Sequence, residues 1–385
     1  MTTRVPNLSR TIVALLVGAV VGCAYAKDKD PDQLKLRAGI TRSDDDNYLR
    51  SPESRAVADK IDSQTLDLNL VLPYGQQRLE LEANFFTSQH QTLTQFDFSG
   101  KNYSAAWRWS LTPTLLGVIS KKHTEMLNSA ADSIDPTLRN KNVADVDALI
   151  VGYLLGGPWQ LFADYSKASS VNEHPLLGTT DIHYQSSTFG VSYTPSVGNS
   201  LSYARRLDTG TSIGDYSASG HALLATYALT GSTSLKARIG YLDQRFAADS
   251  KYDFSGFNGG LEGTWHITGK TSIVGGWQRD LTSFQSQDST YARIDTLSIA
   301  PSWQIKPALS LGLQYKQGMR DSLGSPSGAA STRQDRTRDT VWTIFWQPRS
   351  FVSLRGTFGQ SSRTSNVADQ DYFAHIVTLG AQFIF

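Results

Sequence analysis

Tyr372-Phe373-Ala374-His375-Ile376-Val377-Thr378-Leu379-Gly380-Ala381-Gln382-Phe383-Ile384-Phe385 is the stretch that decides how the 385 residues are read. Phe385, Phe383, Ala381, Leu379, Val377 and Phe373 share one face, which His375 interrupts. Ile384, Gln382, Gly380, Thr378 and Ile376 share the other. Only the first face is continuously apolar, and a repeat of two residues specifies a strand, not a helix. No polar tail follows Phe385. At the rim of a soluble sheet this strand would be an exposed edge prone to aggregation. In a closed membrane barrel it pairs with the first strand and no edge remains. The competing reading is the last strand of a soluble sandwich.

Earlier segments repeat the pattern. Leu34, Leu36, Ala38 and Ile40 alternate with Lys35, Arg37, Gly39 and Thr41. Leu66, Leu68, Leu70 and Leu72 alternate with Asp67, Asn69 and Val71, and Leu79, Leu81, Ala83 and Phe85 with Glu80, Glu82 and Asn84. Leu235, Ala237, Ile239 and Tyr241 alternate with Lys236, Arg238 and Gly240, and Leu309, Leu311, Leu313 and Tyr315 with Ser310, Gly312, Gln314 and Lys316. Unpaired charges are costly in a sheet core, so the charged face must meet water. In a closed sheet that water fills the lumen. Residues 114–121, 147–155 and 340–347 are apolar on both faces, and the alternation does not set their register.

Two kinds of connection separate the strands. Eight are short and carry Gly, Pro or Asn turn chemistry, near residues 73–76, 111–113, 156–158, 195–199, 230–232, 268–270, 306–307 and 347–349. Nine are longer and polar, near residues 43–60, 89–97, 125–142, 171–180, 210–216, 247–251, 282–290, 320–336 and 363–370. Their strict alternation predicts an all-β, transmembrane antiparallel barrel of about 18 strands (16–18). Short turns then face the periplasm, together with both chain ends, and the longer loops face outward. Trp107, Trp109, Trp159, Trp265, Trp303, Trp342 and Trp346 fall near strand ends, as an aromatic girdle at headgroup level requires.

Residues 1–26 read as a signal peptide. Arg4 and Arg10 form a basic region, Thr11 to Gly22 an apolar stretch, and Ala24-Tyr25-Ala26 a small-x-small cleavage site. Val20-Val21-Gly22-Cys23 also resembles a lipoprotein box; cleavage after Ala26 is preferred because a barrel needs no lipid anchor. That cleavage removes Cys23, the single cysteine, and with it any disulfide or cysteine-ligated metal. Residues 27–385 are then one barrel domain. Net charge of +1 gives no case for nucleic-acid binding. Mean hydropathy of −0.30 is compatible with a barrel, whose lipid-facing and lumen-facing residues average out.

No catalytic, metal or cofactor constellation stands out. The seven histidines lack metal-ligand spacing. Asp44-Asp45-Asp46 could hold a divalent cation, although a solvated acidic loop is the simpler reading. Arg333, Arg336 and Arg338 could meet anionic lipid headgroups or simply water. Inward-facing cations are predicted at Lys35, Arg37, Arg108, Arg206, Lys236, Arg238, Lys316 and Arg355, and inward anions at Asp67, Glu80, Glu82, Asp145, Asp147 and Asp164. These cations are the candidate substrate-binding residues of the lumen. Their segregation to one wall would favour an anionic cargo, and interleaving with the anions a neutral cargo or a braced wall.

A terminal strand ending in Phe385 resembles the assembly signal of Gram-negative outer-membrane proteins, which implies the barrel assembly machinery as a partner. The run from Lys35 to Arg50, Phe254-Ser255-Gly256-Phe257, the run from Trp265 to Ser272, Tyr291-Ala292-Arg293 and the run from Ser298 to Trp303 are similar to EpsL-type outer-membrane proteins of exosortase-associated exopolysaccharide loci. By architecture and length the similarity covers nearly the whole mature chain. It implies a passive conduit exporting an exopolysaccharide across the Gram-negative outer membrane, amid lipopolysaccharide and with periplasmic polysaccharide-export proteins as partners. A general or substrate-specific porin for small solutes is the alternative, and a barrel-wall hydrolase the third reading.

Overall fold

Period-two alternation gives a strand one face for hydrocarbon and one for water, so such strands find their lowest free energy only as a closed wall. The computed structural model describes residues 33–133, 135–175, 180–286, 289–324 and 333–385. The proposed signal peptide and Cys23 lie outside these residues.

Eighteen strands follow one another along the chain. They are β1 (Gln33–Asp45), β2 (Asp59–Tyr74), β3 (Gln77–His90), β4 (Phe98–Ser110), β5 (Leu115–Leu127), β6 (Lys141–Gly156), β7 (Trp159–Asn172), β8 (Ile182–Ser196) and β9 (Asn199–Thr211). The second half comprises β10 (Asp215–Thr230), β11 (Thr233–Phe246), β12 (Phe254–Thr268), β13 (Thr271–Ser286), β14 (Ser289–Lys306), β15 (Leu309–Leu323), β16 (Gln334–Arg349), β17 (Val352–Ser365) and β18 (Tyr372–Ile384). Each pairs antiparallel with its sequence neighbours, and β1 also pairs with β18, opposing Arg37 to Ile384. The seam runs to the last residue: Phe385 N–H donates to Leu36 O at 2.8 Å. No described helix is long and apolar enough to cross a membrane, and the crossing is made by strands.

Seven of the eight short turns fall where the turn residues place them. The eighth sits at Ser350-Phe351, because β16 continues through Pro348 to Arg349. Two of the long connections almost vanish. Between β9 and β10 only residues 212–214 remain outside the strands, and β13 reaches Ser286 before β14 begins at Ser289.

The register assigns every strand residue a face, because partners directly opposite share one. Large apolar side chains on the outer face are strongly exposed, among them Phe257 and Leu379 at 65% each. On a water-soluble surface so wide an apolar belt would aggregate; against lipid it is the favourable arrangement. Trp107, Trp159, Trp265, Trp303 and Trp346 lie outward near the short turns and rim the belt there, while Trp277 and Trp342 lie outward higher up, within the belt.

Buried apolar residues form separate clusters on the inner face. Ala218, Leu242, Phe246, Phe254 and Leu281 make one of them. The pairing of β13 with β12 stops at Arg279, and beyond it Leu281 rests against inward residues of β10–β12. The upper end of the β13–β14 hairpin therefore leans over the lumen.

Candidate functional site: the lumen and its outer mouth

All eight predicted cations sit at inward positions, and the structure divides them into two groups. Four have partners. Arg108 Nε donates to both Glu80 carboxylate oxygens at 3.0 Å, Arg206 Nε to Asp208 Oδ1 at 2.7 Å, Lys236 Nζ to Glu262 Oε1 at 3.1 Å and Arg238 Nη2 to Asn258 Oδ1 at 3.2 Å. These brace the wall. The other four, Lys35, Arg37, Lys316 and Arg355, make no ion pair among the described residues; Arg37 faces Asp67 and Lys316 faces Asp339 in register without closing on them. Lys35 and Arg37 lie on β1, Arg355 on β17 and Lys316 on β15. Since β1 joins β18, these strands form one continuous sector of wall that gathers these four; Lys122 on β5, also inward and without an ion pair among the described residues, lies outside it.

Four of the predicted anions, Asp67, Glu80, Glu82 and Asp164, are inward. Asn84 Nδ2 donates to Asp67 at 2.6 Å and Asn69 Nδ2 to Glu82 at 3.0 Å. Asp145 and Asp147 correct the prediction: they face outward, on the side of Leu149 and Tyr153. There Asp147 accepts from Lys121 Nζ at 3.1 Å, and Asp145 lies 2.8 Å from His123 Nδ1. β6 is apolar on both faces, with Val146, Ala148 and Ile150 buried inside, so its alternation could not choose between them.

Sequence reasoning missed the inward Arg78, Lys122, Arg320 and Arg363. The last two lie where strands run on into segments read as loops. Arg320 and Arg333 converge on buried Asp335, with Arg320 Nε donating at 2.9 Å and Arg333 Nε at 3.1 Å, and Arg363 holds Gln370 alongside.

The rest of the mouth is packed. Leu49, Leu93 and Phe96, from the first two long loops, are buried together against Tyr48 and Val57, with Leu127 and Ala130 from around the third. They cover Asp45, Asp59 and His90, which occupy inward positions, so the loops fold over the lumen and not away from it. Arg50 binds Asp45 through both Nη atoms at 2.8 and 2.7 Å, and His90 Nδ1 lies 2.7 Å from Asp59 Oδ2. Burial disfavours the Arg50 charge, yet hydrogen bonding to Asp45 holds the guanidinium above its ordinary pKa. Burial, then the charges of Asp45 and Asp59, push the Tyr48 hydroxyl up to about 12. The carboxylates of the Asp44-Asp45-Asp46 run take separate partners: Asp44 faces Lys60 at 3.9 Å, Asp45 takes Arg50, and Asp46 lies 2.9 Å from His375 Nδ1. No cluster of three His, Cys, Asp or Glu able to hold a metal occurs among the described residues.

A family model described as "Putative beta-barrel porin 2" matches residues 193–385. The chain belongs to this porin family. Among solved structures, the porin resembles OpdK of Pseudomonas aeruginosa, with 14% identity and a TM-score of 0.55 over 92% of this chain and 99% of that one. It resembles the OpdK structure with vanillate at 12% identity and TM-score 0.53, covering 92% and 99% of the two chains. OpdQ of the same organism matches at 14% identity and TM-score 0.54, covering 92% and 100%. At these identities the likeness is one of fold. No curated protein sequence matches the chain. The EpsL-type resemblance finds no counterpart in these matches, which show a porin and give no support to polysaccharide export. They also place the protein in the Gram-negative outer membrane.

Proposed function

We propose that this porin is a selective diffusion channel for small anionic solutes. The observation that carries the reading is the sector of uncommitted lumen cations, Lys35, Arg37, Lys316 and Arg355, on the wall spanning the β1–β18 seam. Fixed positive charge along one wall attracts carboxylates and lowers the barrier to their passage without trapping them. Two further features favour small cargo over polymer. The packed first three loops and the inward lean of the β13–β14 hairpin narrow the outer mouth. The structurally similar OpdK has been crystallised with vanillate, itself a small carboxylate. We further infer that the chain reaches the membrane after cleavage at Ala26 and is inserted by the barrel assembly machinery, with lipopolysaccharide around its outer rim.

Planar-bilayer recording tests the reading. The channel should favour chloride over potassium in a salt gradient, and small carboxylates should carry current or block it more effectively than neutral sugars. Cation selectivity, or extracellular polysaccharide that disappears when the gene is deleted while carboxylate uptake is unchanged, would overturn it.

A further inference from the structure

Above the apolar belt the outer wall carries charged side chains, and most face an opposite charge. Arg42 lies 3.7 Å from Asp62, Lys121 3.1 Å from Asp147, and Arg293 2.6 Å from Asp321. Arg279 meets Asp295 through two hydrogen bonds of 2.8 and 2.9 Å. Arg336 and Arg338 on β16 break this pattern. Both are exposed, and they share the outer face with Trp342, Ile344 and Trp346. In register, Arg336 is flanked by Met319 and Thr364, and Arg338 by Gln317 and Ser362. No carboxylate opposes either one, and neither makes an ion pair among the described residues.

Their height is set by the strand. Arg338 stands eight residues and Arg336 ten beyond Trp346, the girdle residue beside the short turn, so at about 3.3 Å per residue and a tilt of about 40° their Cα atoms lie roughly 20 and 25 Å above it, at the upper edge of an apolar band about 25 Å tall. That is headgroup level in the outer leaflet. Two guanidinium groups about 7 Å apart, with hydroxyl and amide donors on both sides, form a surface suited to a phosphate monoester.

We propose that Arg336 and Arg338, with Gln317, Ser362 and Thr364, form a binding site for the phosphorylated headgroup of an outer-leaflet glycolipid. The site is separate from the lumen and does not depend on what the channel conducts. The guanidinium pair engages the phosphate, the flanking polar side chains take up the sugar hydroxyls, and Trp342 lies against the upper acyl chain. The lipid then ties the β15–β17 wall into the leaflet.

Native mass spectrometry of the detergent-solubilised protein titrated with lipid A reads this directly. The unaltered protein should hold one lipid A in preference to the same lipid with its phosphates removed. R336Q/R338Q should bind lipid A about tenfold more weakly, as expected for the loss of two charge-assisted contacts. R42Q, which removes an outward arginine already paired with Asp62, should bind as the unaltered protein does. Inorganic phosphate should not displace the lipid. Equal binding of lipid A and its dephosphorylated form to the unaltered protein would overturn the proposal whatever the folding of the variants. So would undiminished binding to R336Q/R338Q, an equal loss in R42Q, or displacement by free phosphate.

Discussion

Replacing Lys35 and Arg37 by glutamine should weaken anion selectivity by an amount the structure allows one to work out. Both side chains face the lumen from β1, and neither makes an ion pair among the described residues, so their removal strands no buried partner and leaves the wall intact. A permeating anion passing about 6 Å from one such charge in water gains roughly 0.7 kcal/mol, which screening at 0.1 M salt cuts to about 0.4 kcal/mol. Two charges thus contribute about 0.8 kcal/mol, or about a fourfold excess of anions along this wall. At 0.01 M the same arithmetic gives about 1.1 kcal/mol and about sevenfold. Reversal potentials in potassium chloride gradients at the two ionic strengths measure this. K35Q/R37Q should shift toward cation permeability, by more in dilute salt. R108Q would instead break the Arg108–Glu80 pair, leave Glu80 to Arg78 and confound charge with wall rearrangement, so it is the wrong comparison for this purpose. An unchanged reversal potential in a correctly assembled K35Q/R37Q barrel would refute the role given to the uncommitted cations.

Other outcomes follow from the same geometry. R50A leaves Asp45 buried without its cation, which should cost about 3–5 kcal/mol locally and loosen the first loop, seen as faster protease cleavage between residues 46 and 58. I239K places a charge on the lipid face at a position 59% exposed to it; folding into liposomes should weaken by about 2–4 kcal/mol, read by denaturant titration. Phe385→Asp puts a charge at the lipid-facing end of β18, beside the β1 seam and at a position 73% exposed, and should lower the yield of heat-modifiable barrel in cells. The raised Tyr48 pKa means its ionisation opposes the packed loops. Stability from this residue is complete below pH 10 and is lost as pH rises toward about 12, so ultraviolet titration should show one late phenolic step that Y48F abolishes.

Much of the architecture was readable from one dimension. The period of two put Lys35 and Arg37 on the face opposite Leu34 and Leu36, and eight short turns alternating with nine long loops gave the strand number that the register confirms. Alternation is a local property of the chain, which is why it could be read without contacts. It failed where both faces are apolar: Asp145 and Asp147 on β6 were assigned inward and stand outward, because burial by neighbouring strands, and not polarity, decides which side of such a segment meets lipid.

The sequence by itself determined the barrel, its strand count and the lumen-facing side of its eight cations, because each of these follows from the order of residues along a strand. Only the tertiary structure decided which of those cations are spent and which are available. Arg108, Arg206 and Lys236 meet carboxylates, while Lys35, Arg37, Lys316 and Arg355 gather on one wall. That wall exists because β1 closes on β18, bringing residues more than three hundred positions apart into one ladder. Pairing across such a seam depends on register and tilt, which no local pattern encodes.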